Sequence, residues 1–153
     1  MDKGIIYYTN NRLEKEILEL VQQILLNTGL PIVSVSLKPI DFGENTVLNF
    51  EPGYPTMVRQ IMTGLEKSKA DVVFFCEHDV FYHLSHFDFE PPTKDKFYYN
   101  TNNWRWSYPD DLFISYDGLT SLSALCVYRK LALDHYNKRW ELMVHRGWQD
   151  DYS

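Results

Sequence analysis

The sequence predicts an α/β fold with a mainly parallel central sheet flanked by helices, and three observations carry that expectation. The run Val72-Val73-Phe74-Phe75-Cys76 is apolar without alternation. Such a run marks a strand buried on both faces, as in a parallel sheet covered by helices. Apolar residues recur at helical spacing from Leu13 through Leu26 and again from Thr56 to Lys67, each segment lying between strand-like runs. Strand and helix therefore alternate, which calls for right-handed crossovers joining parallel strands.

Taken in order, Gly4 to Thr9 is short, β-branched and aromatic, and reads as the first strand. It ends in Thr9-Asn10-Asn11-Arg12, where Thr9 or Asn10 is suited to cap the next helix. That helix presents Leu13, Ile17, Leu20, Val21, Ile24 and Leu25 on one face, and Asn27-Thr28-Gly29 ends it. Pro31 to Leu37 is the second strand. Pro39 to Pro55, rich in Gly, Pro and Asn, is expected to be an ordered but irregular loop. The second helix, Thr56 to Lys67, buries Met57, Ile61, Met62 and Leu65 and leads into the strand that ends at Val80. Up to Asp79 the pattern is a Rossmann-like, mononucleotide-binding half, with the loops after the first and third strands facing one crevice. Beyond it, His83 to Pro92 reads as a helical turn and a Pro-Pro break, and Lys96 to Asn100 as a strand. Leu119 to Leu133 suits a strand or a helix, with helix favoured from near Ser121; Asp134 to His145 is helical, and Gly147 breaks it.

With 153 residues the chain is long enough for one sizeable core and too short for two, so residues 1–153 are expected to be a single compact domain. A hydrophobic share of 44% against 24% charged residues excludes disorder. Aromatic residues are abundant at 16%, and 11 Tyr and 4 Trp give many of the rings a polar handle for stacking and hydrogen bonding. A net charge of -6 argues against a general nucleic-acid binder. Cys76 and Cys126 both lie in apolar runs and read as reduced core residues. Neither a signal peptide nor a transmembrane stretch is apparent, which predicts a cytoplasmic protein.

The third strand delivers Glu77, His78 and Asp79 at its carboxyl end. Two carboxylates and an imidazole suit a hard or borderline divalent cation. They are costly to bury without a partner, and a metal with a phosphorylated substrate would be one; a solvated turn after a core strand is the alternative. The order of elements and this acidic triplet resemble the nucleotide-sugar-dependent glycosyltransferases of the GT-A fold, family-2-like and of minimal size. In that family an Asp-any-Asp signature ends a central strand and holds manganese or magnesium against the donor diphosphate. The matching residues are Glu77, His78 and Asp79, with Glu in the first Asp position. Two further segments share the likeness, Tyr7-Tyr8-Thr9-Asn10-Asn11-Arg12 after the first strand and Thr56 to Leu65 before the acidic strand.

The resemblance implies a nucleotide-sugar half over about residues 1–80 and an acceptor-side half over about 81–153. It implies Mn2+ or Mg2+ as cofactor, held by Asp79 with a histidine, for which His145 is the best placed and His83 and His86 are rivals; the competing role for His145 is that of a cation at a helix carboxyl end. Tyr8, Thr9, Asn11, Arg59, Glu77 and His78 would meet the nucleotide sugar, probably a uridine diphosphate sugar. The competing roles are a core ring for Tyr8, helix capping for Thr9 and a salt bridge for Arg59. His83 and His86 belong to an aromatic turn, packed or facing an acceptor. Asn102 and Trp104, in the run Tyr98 to Trp106, offer ring faces and amides to a saccharide or lipid-linked acceptor, or else form an exposed hairpin. Asp150 and Asp151 loosely resemble the acidic pair that supplies a base in inverting enzymes; a solvated tail is the alternative. The expected activity is hexosyl transfer from the donor to an acceptor hydroxyl. A metal-dependent phosphohydrolase and a non-catalytic carbohydrate-binding module are the other classes open, and oligomeric state is undetermined.

Overall fold

A computed structural model describes residues 1–107, 110–115 and 117–147. The strands are β1 (Lys3–Tyr8), β2 (Ile32–Ser36), β3 (Glu44–Val47), β4 (Val72–Glu77), β5 (Tyr98–Tyr99), β6 (Trp104–Ser107), β7 (Leu112–Ser115) and β8 (Leu125–Tyr128). The helices are α1 (Lys15–Leu26), α2 (Tyr54–Lys67) and α3 (Arg129–Arg146). Six strands form one sheet in the order β3-β2-β1-β4-β8-β5, and β6 and β7 pair as a separate hairpin. The first four run parallel to one another; β8 runs antiparallel to β4, and β5 antiparallel to β8. The chain is therefore an α/β protein with a mixed, mostly parallel sheet. Among the described residues no helix is long and apolar enough to cross a membrane.

Alternation along the central strands makes two cores, one on each face of the sheet. Ile6, Tyr8, Val73 and Phe75 pack with Val58, Ile61 and Leu65 of α2 and Ala132 and Tyr136 of α3. Ile5, Tyr7, Phe74 and Cys76 pack on the other face with Val21 and Leu25 of α1 and with Tyr82 and Phe87. Helix α2 comes very close to β1: a Cβ placed on Gly64 would stand 2.5 Å from Ile6 Cγ2. Cys76 and Cys126 are buried and unpaired, as their apolar surroundings suggest.

Several boundaries differ from those expected. Within the stretch expected to be irregular, Glu44–Val47 extends the sheet as β3, held by Asn45 Nδ2, which donates to Ser34 Oγ and Ser36 Oγ at 3.0 Å each. Helix α2 begins at Tyr54, and α1 starts after Glu14 with no side-chain cap, so neither Thr9 nor Asn10 caps it. The segment favoured as helical from Ser121 is a 3-10 turn, Leu122–Ala124, followed by β8. Leu125 and Val127 point into one core and Cys126 into the other, so this run alternates between two apolar faces rather than around a helix. Only at Arg129 does α3 begin, where Arg129 Nε donates to Ala70 O at 2.9 Å. The strand expected over Lys96 to Asn100 narrows to Tyr98–Tyr99, and the turn expected within His83 to Pro92 is a 3-10 helix, Leu84–Asp88.

Candidate functional site

The strand order fixes where a site can be. From β1 the chain steps to β2 on one side, while β4 lies on β1's other side. Such a reversal opens a crevice at the carboxyl ends of the two strands. Tyr8 and Thr9 end β1 and Glu77, His78 and Asp79 end β4, and the register pairs Tyr8 with Glu77. A cavity of about 390 Å³ lies there. Its opposite wall is Pro52, Gly53, Tyr54 and Thr56, at the amino end of α2. That end presents the positive pole of the helix to an anion.

Tyr8 and Glu77 project to the same face because they pair across parallel strands. The Tyr8 hydroxyl donates to Glu77 Oε1 at 2.7 Å. Burial raises the Glu77 carboxyl above its usual range; the Tyr8 hydrogen bond opposes this and the nearby Asp79 charge adds to it. Thr9 Oγ1 accepts from the Asn11 backbone N–H at 2.9 Å and lies 2.5 Å from His78 Nδ1, so His78 is held by its Nδ1 edge. Burial lowers the His78 pKa, with Asp79 opposing, so its ring is neutral at pH 7. Asp79 is exposed at the rim. Gln60 Nε2 donates to Thr9 O at 2.7 Å and Val35 O at 3.1 Å, tying the ends of β1 and β2 to α2.

Of the residues singled out from sequence, Tyr8, Thr9, Glu77, His78 and Asp79 are brought together here. Asn11 is not at the cavity wall. It adopts a φ of 62°, and its Oδ1 accepts from Leu37 N and Lys38 N at 2.8 and 2.9 Å, fastening the loop after β2. Asn10 takes the position at the wall. Arg59 does not line this cavity; its guanidinium lies 5.1 Å from the centre of the Trp140 ring, a cation-π contact, and among the described residues it forms no salt bridge. His145 stands in the last turn of α3, exposed, and lines neither this cavity nor the second one described below. His83 caps the 3-10 turn, its Nδ1 accepting from Ser85 N at 3.3 Å, whereas His86 is packed among Phe74, Tyr82 and Phe87. Asn102 accepts from Trp104 Nε1 at 3.0 Å, and Trp104 opens the exposed β6–β7 hairpin, away from the cavity. Asp150 and Asp151 lie outside the described residues. Gly53, Tyr54 and Gln60 are the wall residues that sequence reasoning missed; the signal for them was the Gly53-Tyr54-Pro55 start of α2.

Among the described residues no three His, Cys, Asp or Glu side chains form a metal-holding group. The donor set at the cavity fits a divalent cation shared with a bound phosphate: Asp79 supplies free carboxylate oxygens, and Glu77 has Oε2 free of the Tyr8 bond. No protein-family model matches the chain, and no curated protein matches it.

Proposed function

We propose that the protein transfers a sugar from a nucleotide sugar, such as a uridine diphosphate sugar, to an acceptor hydroxyl, with Mn2+ or Mg2+ as cofactor, in a GT-A-like site. The observation that carries this reading is the cavity at the β1/β4 reversal, where the Glu77-His78-Asp79 turn faces the amino end of α2. A diphosphate seated there would meet the positive pole of the helix, while Asp79 and Glu77 would hold a cation on its other side. When bound, that cation neutralises charge growing on the leaving diphosphate. The chain's own groups do the positioning. Tyr8 fixes Glu77, Thr9 fixes His78, and Asn10 lines the space where a base and ribose would lie.

Calorimetric titration of uridine diphosphate, with Mn2+ present and absent, tests this on wild type and Asp79→Ala. Binding is expected only with both the metal and Asp79, with at least a tenfold loss of affinity in the variant. Asp79 is exposed, so the variant is expected to fold normally. Equal binding by wild type and Asp79→Ala would sink the assignment. Product analysis then separates transfer to an acceptor from simple release of a sugar phosphate.

A further inference from the structure

A second cavity of about 330 Å³ opens between α2, α3 and the β5/β8 edge, and no carboxylate lines it, whereas Glu77 and Asp79 line the first. Val58 and Leu125 form a buried floor, and Tyr54, Phe97 and Tyr136 supply ring walls. No Asn, Gln, Asp or Glu lines it. Its polar groups are the Tyr54, Tyr99 and Tyr136 hydroxyls, the His135 ring and the Arg139 guanidinium, which suit an anion, and no carboxylate lines it to repel one. A flat apolar body fits: an apolar cavity of roughly 150 Å³ holds a benzene ring, and about twice that volume accommodates two fused rings.

One charge marks the mouth. The Arg139 guanidinium lies 5.4 Å from the centre of the Tyr54 ring, held by its face, and among the described residues no carboxylate forms an ion pair with it. In a chain of net charge -6 this is a cation with no ion-pair partner among the described residues, beside a largely apolar cavity. His135, on the same rim, has its pKa lowered by burial and by Arg139, so Arg139 stands there as the single positive charge. A guanidinium so placed matches one carboxylate or phosphate on the occupant.

We propose that this second cavity is a ligand subsite for an acid with a flat apolar body, such as an aromatic carboxylate, with the body on Val58 and Leu125 and the anion on Arg139. Tyr54 and Met57 line both cavities, so an occupant of the second lies one side chain away from an occupant of the first. On the reading of the first cavity as a nucleotide-sugar site, which this part of the inference rests on, the acid is the acceptor. The acceptor would then be recognised by apolar surface and one charge rather than by the Trp104 hairpin.

The test titrates naphthalene-2-carboxylate and its uncharged carboxamide into wild type, Arg139→Gln and Leu122→Trp by calorimetry, with circular dichroism melts to show that each variant folds. Leu122 is a partly buried wall residue of the 3-10 turn, so the larger ring is expected to fill the cavity without dismantling a helix or strand. Wild type is expected to bind one carboxylate saturably and the carboxamide at least tenfold more weakly. Arg139→Gln should lose about tenfold toward the carboxylate and little toward the carboxamide, and Leu122→Trp should lose both. Non-saturating carboxylate binding by wild type, or undiminished binding by folded Arg139→Gln or Leu122→Trp, would overturn the subsite. Uridine diphosphate binding with Mn2+, measured in the same three proteins, keeps the two readings apart. Its absence throughout, with the naphthalene pattern intact, removes the acceptor role and leaves the subsite standing.

Discussion

Glu77 illustrates how a single side chain can be placed at a cost to the fold. It ends a strand whose preceding five residues are fully buried, and its carboxyl sits partly beneath the surface beside the exposed Asp79. Burial raises its pKa above the ordinary 4.5, which means that the folded state favours the protonated form. The linkage follows: folding holds the proton more tightly than the unfolded chain does, so this group's contribution is most favourable below 4.5 and declines as pH rises through the raised value. Glu77→Gln keeps an oxygen to accept from Tyr8 and removes the charge. It is expected to raise the melting temperature at pH 7 by a few degrees at most, with the gain vanishing at pH values where the carboxyl is protonated in both states. On the proposed function, metal-dependent nucleotide binding should weaken at least tenfold in the same variant. Such an opposition between stability and binding is what a residue retained for a ligand produces. Melts at pH 7 and pH 4, beside a nucleotide titration, check it; a variant less stable than wild type at pH 7 would contradict the account.

Among the elements, α2 sets the site's geometry because it is packed so closely on β1. Ile6 is fully buried, and Gly64 lets the helix backbone approach it. Gly64→Ala would gain about 0.8–1 kcal/mol of helix propensity in an isolated helix. Here the new methyl meets Ile6 Cγ2, and overpacking of this kind costs typically about 1–3 kcal/mol. The expected net effect is destabilisation by up to about 2 kcal/mol, read as a lower urea midpoint with an unchanged slope. Displacement of α2 should also disturb Gln60 and thus the Thr9 wall of the first cavity. Three of the four parallel strands were legible because β1 and β4 are apolar runs, β2 alternates, and α1 and α2 each have a clear apolar stripe. By contrast, β3 was hidden since Glu44-Asn45-Thr46-Val47 carries little apolar surface, and its place at the sheet edge rests on Asn45's hydrogen bonds to serines, which no periodicity announces. The run through β8 was ambiguous because both of its faces are apolar; the pairing of Cys126 with both Phe74 and Tyr98 decides it, and that is a tertiary fact. The acidic turn of the site could be read in advance because its polar residues interrupt a core strand. Arg59, Asn11 and His145 could not be placed, since their neighbours, Trp140, the loop after β2 and open solvent, come from the folded arrangement rather than from nearby sequence.

At the scale of the whole molecule, three histidines share a direction. The pKa values of His78, His86 and His135 are all lowered, with burial the main cause in each case. In the unfolded chain each returns to about 6.5 and takes up a proton that the folded state resists. Stability from this source is therefore fully present above 6.5 and is lost as pH falls through the lowered values, opposite in sign to the contribution of Glu77. His86 is the clearest test because it lines neither cavity and burial alone lowers its pKa: its ring meets Phe74, Tyr82 and Phe87, and its Nδ1 lies 3.2 Å from Asn100 Nδ2. Its Nε2 is buried with no partner among the described residues, so little is lost with that atom. His86→Phe is expected to flatten the fall in unfolding free energy on acidification below pH 6.5 by up to one proton's slope, about 1.4 kcal/mol per pH unit. Urea unfolding at half-unit intervals from pH 7.5 to 5 measures that slope. An unchanged slope would mean that His86 is protonated in the fold despite its ring of aromatic neighbours, and that the acid sensitivity belongs to His78 and His135. The wild-type slope also bears on the site, since His78 is held neutral by the same burial that encloses the first cavity. A ligand that brings a cation beside Asp79 should hold His78 neutral to still lower pH and so shift the acid limb of the stability curve downward, a displacement that Asp79→Ala should abolish.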